Sequence, residues 1–378
     1  MSGSRDTVFT FSMEMFEDTL NREFCRPPDQ TLLALAHDDR VGRLLVADPW
    51  RSYVKSVARR RGVRLDTPLT VGGRDAVRVR PHRLRTDDAT DLATVERSYQ
   101  AYGRALGRAL ARAGGERAAL VTYHPFVAAF CDASWITEVV YFGQDDWATG
   151  EGVRQYWPLY REAYERIDER KAAIFCVSEE LATRLSPRAT VVPNGVIADV
   201  WRPSLPVPAR IAALPGPRAI YTGTIDDRLE MSLVEQTARG VGSLIFIGHP
   251  GDAGVIDSLR TLPNTHVFGS VGQRELAATV RACDVGVIPH RDQEGIRAMS
   301  PLKLYEYLAA GLPVLSVDLP PIHGVDDERV VIGLRSAWSN GLSRAIGLGP
   351  ADEQRRQRFI DEVSWERRMR PVVDAAVG

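Results

Sequence analysis

The chain has 378 residues, 44% of them hydrophobic and 26% charged, and a formal net charge of −1. This composition is typical of a globular protein of about two domains with a large core, and it excludes a disordered chain, a collagen-like fibre and a disulfide-rich miniprotein. The four cysteines lie far apart without a CxxC pair, so the sequence predicts neither a zinc site nor a disulfide framework.

Short apolar, β-branched runs alternate with longer helical patterns along the chain. Strands are predicted at residues 7–11, 43–46, 119–122, 138–141, 173–177 and 190–192, and then at 218–221, 243–247, 265–268, 285–288 and 313–317. Helices are predicted at residues 89–113, 153–169, 179–185, 274–281 and 302–310. This alternation predicts an α/β fold with parallel sheets covered by helices on both faces.

A proline-rich segment follows Trp201, almost at the midpoint of the chain. Five prolines fall within residues 203–217, which is too many for the interior of a helix or strand and predicts a linker. Each side carries a similar number of predicted strands, so we expect two similar doubly wound domains with a cleft between them. Ligands of such sheets bind beyond the carboxyl ends of the strands.

The strongest local signal is residues 299–314, MSPLKLYEYLAAGLPV. Ser300 is a good residue for the N-cap of a helix, and Pro301 suits the first helical position because its missing N–H would be unpaired there. Gly311 is suited to the C-cap. We therefore expect a helix that begins beside a loop leaving the strand at 285–288.

This helix start has the features of a nucleotide site. The N–H groups of Leu302 and Lys303 and the helix dipole would form an anion site, and the Lys303 side chain adds a positive charge. Glu306 lies one turn further along, where its carboxylate could accept hydrogen bonds from two vicinal hydroxyls. Phosphate at the cap and ribose one turn away describe a nucleotide. The alternative is a buried amphipathic helix with an ordinary cap.

The same segment resembles the nucleotide-sugar signature of GT-B glycosyltransferases, in particular family-4-like enzymes of the teichuronic-acid-type subgroup with a PLKLYEYLAAG motif. Further segments are similar to the end of the N-terminal domain and to successive strands of the donor domain in that family. They are residues 174–181, 192–196, 221–225, 245–248, 262–269, 282–289 and 364–366. The resemblance covers most of residues 170–370, whereas the first 140 residues match only in pattern.

The resemblance implies a GT-B fold with two Rossmann-like domains facing an interdomain cleft. Residues 1–202 would form the acceptor-binding domain and residues 203–360 the donor-binding domain, and a helix within residues 361–378 would join the first domain. The implied activity is transfer of a sugar from a UDP-, GDP- or TDP-linked donor to a hydroxyl acceptor, in glycan, glycolipid or natural-product biosynthesis. No metal and no cofactor other than the nucleotide sugar would be needed. A nucleotide-sugar epimerase and a non-catalytic nucleotide-sugar-binding protein are the alternatives.

In the family, the diphosphate lies on the helix N-terminus that corresponds to residues 300–303, and the glutamate that matches Glu306 holds the ribose. The first glutamate of the E-x7-E motif is replaced here by Ala298. Glu294 is near in sequence but at the wrong spacing. Because that first glutamate meets the donor sugar in the family, the sugar and the retaining or inverting course stay open.

Other donor contacts are implied by the loops after two strands. Gly223 and Thr224 follow the first donor-domain strand, and Arg228 in the same loop is the candidate for neutralising the phosphates. A solvated surface arginine is the alternative. Val271 would lie near the nucleobase.

Four residues of the first domain are candidates for chemistry. His124 ends a predicted strand where the family often has a histidine near the donor sugar, although a structural histidine is the alternative. Asp145 and Asp146 follow the strand at 138–141, and an inverting enzyme would need Asp146, or else Glu14, as a base. In a retaining enzyme the leaving phosphate itself would take the acceptor proton. A helix N-cap is the alternative role for the two aspartates.

A basic block occupies residues 40–85, with thirteen Lys or Arg against three acids. Arg51, Lys55 and Arg59 are spaced to share one helical face, which could rest on anionic lipid headgroups or hold a phosphate-bearing or lipid-linked acceptor. A solvated helix is the alternative. Nucleic acid is not expected, since no stacking platform accompanies the charge. With no signal peptide and no apolar run of ~20 residues, we expect a cytoplasmic protein, with peripheral contact at the inner membrane face as a further hypothesis.

Overall fold

The computed structural model of the protein describes residues 4–58 and 66–378, which form two compact α/β units. The first unit comprises Met1–Pro193 and Arg368–Gly378, and the second comprises Asn194–Arg367. The division falls nine residues before the predicted boundary at 202/203, because the chain enters the core of the second unit ahead of the proline-rich segment. Val196 and Trp201 are both fully buried there.

The first unit is built on parallel strands. Its strands are β1 (Arg5–Thr10), β2 (Val41–Ala47), β3 (Arg51–Ser52), β4 (Asp66–Val71), β5 (Arg74–Val79), β6 (His82–Arg83), β7 (Ala118–Thr122), β8 (Ile136–Gly143), β9 (Ala173–Cys176) and β10 (Thr190–Val191). Eight of them form a sheet in the order β10-β9-β8-β7-β1-β2-β5-β4, and β3 pairs with β6. Apart from the antiparallel β4–β5 hairpin, the described pairs are parallel.

The helices of the first unit connect these strands. They are α1 (Phe16–Asn21), α2 (Pro27–His37), α3 (Tyr53–Ala58), α4 (Leu92–Arg112), α5 (Pro125–Phe130), α6 (Trp157–Glu169) and α7 (Glu179–Leu185), with a 3₁₀ turn at Glu151–Tyr156. The predicted helices at 89–113 and 179–185 correspond to α4 and α7. The predicted helix at 153–169 is divided into the 3₁₀ turn and α6.

The basic block differs from its prediction. Arg51 lies in β3, ahead of α3, so Arg51 and Lys55 do not share one helix, and Arg59 lies outside the described residues. Further along, β4 and β5 form a hairpin whose turn is Gly72 and Gly73, with φ of +54° and +82°. Two adjacent glycines between strand-like runs are the usual signal for such a turn, because only glycine adopts positive φ without strain. The hairpin could have been predicted from that pair.

The second unit has a single parallel sheet among its described strands. They are β11 (Arg218–Thr222), β12 (Ser243–Ile247), β13 (Thr265–Phe268), β14 (Val285–Ile288), β15 (Val314–Ser316) and β16 (Val330–Ile332), in the order β13-β12-β11-β14-β15-β16. This is the strand order of a Rossmann fold. Successive strands are added on one side from β11 to β13 and on the other side from β14 to β16, so the order reverses between β11 and β14. Three predicted strands, at 243–247, 265–268 and 285–288, have the observed bounds. The three-residue β16 was not predicted because it is too short to show a period.

Helices connect the strands of this sheet. They are α8 (Ala198–Trp201), α9 (Ala209–Ala212), α10 (Met231–Arg239), α11 (Ala253–Arg260), α12 (Gln273–Arg281), α13 (Glu294–Arg297), α14 (Leu302–Ala310), α15 (Pro320–His323), α16 (Trp338–Leu348) and α17 (Glu353–Val363), with a 3₁₀ turn at Arg335–Ala337. The predicted helix at 302–310 is α14. The last helix, α18 (Trp365–Val377), is separated from α17 by Ser364, whose ψ of 143° is not helical.

Candidate functional site

The carboxyl edge of the second sheet has its reversal point between β11 and β14. Gly223 follows β11 directly, with φ of +111°, and His290 follows β14 after one intervening proline. Because ligands of doubly wound sheets bind where the strand order reverses, this edge is the expected binding site of the second unit. The N-terminus of α14 supplies Lys303 and Glu306 to the same region.

The cap of α14 differs from its prediction. Pro301, rather than Ser300, is the N-cap residue, with ψ of 109°, and no side chain caps the helix. Ser300 is instead held by Asn194, whose side-chain amide donates to the Ser300 carbonyl at 2.7 Å. This contact fixes Ser300 outside the helix, so Leu302 and Lys303 form the first turn, and no side chain competes with a ligand for its N–H groups.

Lys303 is almost fully buried, at 9% exposure. Its Nζ lies 3.7 Å from the centroid of the Tyr221 ring and 3.4 Å from Nε2 of His290. A Cβ built on Gly223 would stand 3.4 Å from the same Nζ, so a side chain there would pack against the ammonium group. Among the described residues no carboxylate forms an ion pair with Lys303. Burial lowers the pKa of Lys303 well below its usual range, and the Arg228 charge lowers it further.

Glu306 is buried on the same helix, at 7% exposure. No described residue donates a hydrogen bond to its carboxylate, although Lys303 lies one turn away and favours its charged form. Burial is the larger effect, and it raises the pKa of Glu306 to about 7. A buried carboxyl group without a donor is costly to leave unsatisfied, so its oxygens are suited to accept from hydroxyls of a ligand.

Arg228 and Asp226 lie in the loop after β11. The Arg228 guanidinium makes a forked contact with Asp226, with Nε at 2.8 Å from Oδ1 and Nη2 at 2.9 Å from Oδ2. This pairing holds the half-buried arginine near Lys303, whose pKa both residues affect. In the same loop, the Thr224 carbonyl accepts from the Tyr221 hydroxyl at 3.2 Å.

The remaining donor-site candidates are spread around this centre. Val271 lies between β13 and α12 and packs against the core while partly exposed. Ala298 is buried, and Glu294 lies on α13, exposed. The family motif has a glutamate at the position of Ala298. Glu294 is exposed on α13 and does not take the place of that glutamate.

Two residues of this site were missed by the sequence analysis. His290 is 1% exposed, and its Nδ1 has no hydrogen-bond partner among the described residues. Asn194 is also buried, and its Oδ1 likewise has no partner in the described part of the chain. His290 could have been found from the sequence, because it follows the predicted strand at 285–288 after one proline. That strand end lies where the strand order reverses.

In the first unit, His124 lies just after β7 and is buried. Its Nδ1 accepts from the Phe126 N–H at 3.1 Å, so it caps α5, and Tyr99 lies 3.3 Å from Nε2. Burial lowers its pKa to about 4. The ring is therefore neutral at pH 7, and its Nδ1 is used by the helix.

The two aspartates follow β8. Asp146 is buried, and its oxygens accept from the Ala148 N–H at 3.0 Å, from Tyr164 at 3.3 Å and from Arg184 at 2.7 Å. It stabilises a turn rather than a helix. Asp145 is exposed and also interacts with other residues of the chain.

Glu14, Lys55 and Arg51 also form ion pairs or hydrogen bonds with neighbouring residues. Glu14 forms ion pairs with Arg22 at 2.9 Å and with Arg26 at 2.6 Å. Lys55 pairs with Asp87 at 2.6 Å, and Arg51 donates to the Met13 carbonyl at 2.7 Å.

Neither a metal cluster nor a membrane-spanning helix occurs within residues 4–58 and 66–378. In these ranges no group of three or more His, Cys, Asp or Glu side chains could hold a metal ion. No helix there is both long enough and apolar enough to span a bilayer.

Part of the second unit is similar to known proteins. Residues 229–345 match the family model described as glycosyl transferases group 1. A protein of Bacillus subtilis (strain 168), designated a teichuronic acid biosynthesis glycosyltransferase and named TuaH, is 28% identical over an alignment of 232 residues that covers 56% of this chain and 58% of that protein. The match therefore spans little more than half the length of this relative.

Solved structures share the whole architecture. Sucrose-phosphate synthase from Thermosynechococcus elongatus superposes with a TM-score of 0.65 at 13% identity, covering 97% of this chain and 96% of that one. A trehalose-6-phosphate structure from E. coli, bound with UDP-2-fluoro glucose, gives 0.64 at 11% identity, covering 98% and 99%. At such identities the likeness shows the fold. The chain thus has a GT-B fold of two Rossmann-like units, and residues 229–345 in its second unit match the model of glycosyl transferases group 1.

Proposed function

We propose that the protein is a glycosyltransferase that moves a sugar from a nucleoside diphosphate sugar to a hydroxyl acceptor. The observation that carries this proposal is a pair of buried charged side chains on the first turns of α14. Lys303 has no acidic partner and Glu306 no hydrogen-bond donor among the described residues, and both lie where the sheet of a group 1 domain reverses. Each group lacks the partner that a nucleoside diphosphate would supply.

The parts of the donor fit these groups by charge. The diphosphate would meet the Lys303 ammonium and the uncapped helix N-terminus, and the ribose hydroxyls would donate to Glu306. Arg228 lies close enough to influence the Lys303 charge and would add to the neutralisation. The UDP sugar held by the E. coli neighbour makes UDP the first donor base to test.

Charge neutralisation on the departing diphosphate is the chemistry that this site would supply. Fixed N–H dipoles and Lys303 stabilise the negative charge that develops as the sugar–oxygen bond breaks. We propose that no further cofactor takes part. Because the oxygens of Asp146 are already bonded to three neighbours, we propose that the departing phosphate, rather than Asp146, takes the acceptor proton.

Replacing Lys303 by methionine tests the donor site. We expect UDP affinity to fall by about 10- to 100-fold, the equivalent of about 1–3 kcal/mol for a lost charge-assisted hydrogen bond. Methionine fills the buried space, so the fold should persist. Calorimetric titration with UDP measures the effect, and Lys171→Met, at an exposed lysine of the first unit, is the control.

Product analysis separates the proposed reaction from its alternatives. A transferase should release UDP from a UDP-sugar only when an acceptor is present, whereas an epimerase would convert the donor alone. A binding protein would retain the nucleotide sugar without turnover. Unchanged UDP affinity in both Lys303→Met and Glu306→Ala would contradict the proposed site.

The acceptor is proposed from the relative and from the first unit. The name of the Bacillus relative refers to teichuronic acid biosynthesis, and we propose a carbohydrate acceptor that carries a phosphate or a lipid-linked phosphate. A small pocket in the first unit is lined by three basic side chains, Arg51, Arg80 and His82, together with Asp48. The two arginines would supply positive charge to such a phosphate, although Asp48 pairs with Arg80 at 3.5 Å.

An apolar surface lies beside these basic residues. Tyr53, Val54 and Val57 on α3 are 46%, 55% and 50% exposed, and Lys55 projects from the same short helix. We propose that this surface rests on an anionic membrane, with the apolar side chains at the headgroup boundary.

A triple serine variant of Tyr53, Val54 and Val57 tests this contact. We expect it to lose most of its binding to vesicles containing phosphatidylglycerol, measured by co-sedimentation, because the apolar contribution is removed. Leu20→Ser, at a side chain 52% exposed elsewhere in the first unit, is the control and should bind normally. Equal sedimentation of the triple variant and the wild type would contradict the proposal.

A further inference from the structure

His290 is a buried histidine that the proposed reaction does not yet use. Its Nε2 lies 3.4 Å from Nζ of Lys303 and 3.2 Å from the Tyr221 hydroxyl. Its Nδ1 is also buried and has no partner among the described residues. A polar nitrogen left unsatisfied in a protein interior is rare and indicates a functional constraint.

The contact with Lys303 determines the state of the ring. A lysine ammonium group can only donate, so Nε2 of His290 has to accept from it, and the ring hydrogen must then be on Nδ1. With Nε2 on one side and the Tyr221 ring at 3.7 Å on another, the ammonium group is held by a neutral acceptor and a π face. Neither partner cancels its charge.

The charged groups around Lys303 and His290 decide whether this pair can hold a second proton. Lys303 and Glu306 face it from α14, Arg228 and Asp226 from the loop after β11, and Tyr221 from β11 itself. Arg335 donates to the backbone carbonyl of His290 at 3.1 Å and not to its ring. Burial, followed by the Lys303 and Arg228 charges, holds the pKa of His290 well below its usual range. In the free protein a second proton on the pair is therefore disfavoured.

A bound diphosphate would favour a second proton on the Lys303–His290 pair. Its oxygens accept from the Lys303 ammonium, which then no longer needs Nε2 as its acceptor. The added negative charge also offsets a second positive charge at the pair. The free lone pair on Nε2 can then take a proton from solvent, and the resulting imidazolium can donate to the Tyr221 oxygen.

We infer that His290 is a positioning residue for the donor diphosphate, which orients the Lys303 ammonium group in the free protein and takes up a proton at Nε2 when a nucleoside diphosphate binds. This inference rests on the proposed donor site and adds a residue and a proton to it. It makes donor binding depend on pH through His290.

Calorimetric titration of the full chain with UDP, at pH 7.5 in two buffers of different ionisation enthalpy, measures the proton uptake. We expect net uptake by the wild type and a smaller uptake by His290→Gln. The difference isolates His290, because Glu306 is the same in both proteins. The glutamine oxygen can still accept from Lys303, so its UDP affinity should stay within about threefold of the wild type, whereas His290→Leu should lose about tenfold. His323→Leu, at an exposed histidine, is the control.

Two results would overturn the inference while leaving the donor site intact. One is UDP binding that weakens in Lys303→Met but shows the same proton uptake in the wild type and His290→Gln. The other is full affinity in His290→Leu. If His290→Leu does not fold, the comparison of wild type with His290→Gln still decides. A wild type that binds no nucleoside diphosphate would refute the proposed function as well.

Discussion

Gly248→Ala is expected to lower the free energy of unfolding of the second unit by about 3 kcal/mol or more. Gly248 follows β12 with φ of +153°, where alanine is strained. A Cβ there would also lie 1.8 Å from the carbonyl oxygen of Gly223, a backbone atom that cannot rotate away. Urea denaturation followed by circular dichroism measures the loss.

The same substitution should also affect the donor site. Gly223 donates its N–H to the Ile247 carbonyl at 2.9 Å and lies over Lys303, so displacing Gly223 would move the backbone beside the ammonium group. Gly269→Ala is the matched control, because no heavy atom lies within 4 Å of its Cβ position and it is in the same unit. A Gly248→Ala protein as stable as this control would show that the two loops can separate at little cost.

Glu306→Gln is expected to stabilise the free protein at pH 8 while weakening donor binding. Burial raises the pKa of Glu306 to about 7, from 4.5 for an exposed glutamate. Between these values the unfolded chain has lost the proton and the folded protein keeps it. The free energy of unfolding therefore falls as pH rises from about 4.5 to 7, by at most about 3 kcal/mol. Glutamine has no proton to lose and removes this dependence.

Thermal unfolding at pH 5 and pH 8 measures the effect. The variant should gain about 1–3 kcal/mol over the wild type at pH 8 and much less at pH 5. Its UDP affinity should fall by about tenfold, because an amide accepts less strongly from the ribose hydroxyls than a carboxylate does. Glu362→Gln, at an exposed glutamate of the same unit, should change neither quantity. Equal gains at both pH values would mean that the pKa of Glu306 is the same in the folded and unfolded protein, so that burial does not raise it.

These expectations have a common physical basis. Lys303, Glu306 and His290 are buried close together, and the described residues do not satisfy all their polar atoms. Such an arrangement lowers stability and is maintained only where a ligand compensates for it. The same reasoning does not apply to Asp146 or Glu14, whose oxygens are already held by neighbouring side chains.

The second unit was largely predictable from its sequence. Its strands are short, β-branched and bounded by loops, so β12, β13 and β14 have the bounds that the pattern predicted. The PLKLYEYLAAG segment likewise predicted the bounds of α14, because periodic apolar residues and a C-terminal glycine define a helix locally.

Interactions between residues distant in sequence decided the rest. Ser300 has the chemistry of an N-cap, yet Asn194, over one hundred residues earlier, holds it outside α14. Asp146 has the chemistry of a base, yet Arg184 and Tyr164 occupy its oxygens. Local sequence thus determined the strands, α14 and the presence of Lys303 and Glu306 on it. Only tertiary structure brought Tyr221 to His290 and Lys303, because strand order, which no local pattern encodes, places the end of β14 beside β11.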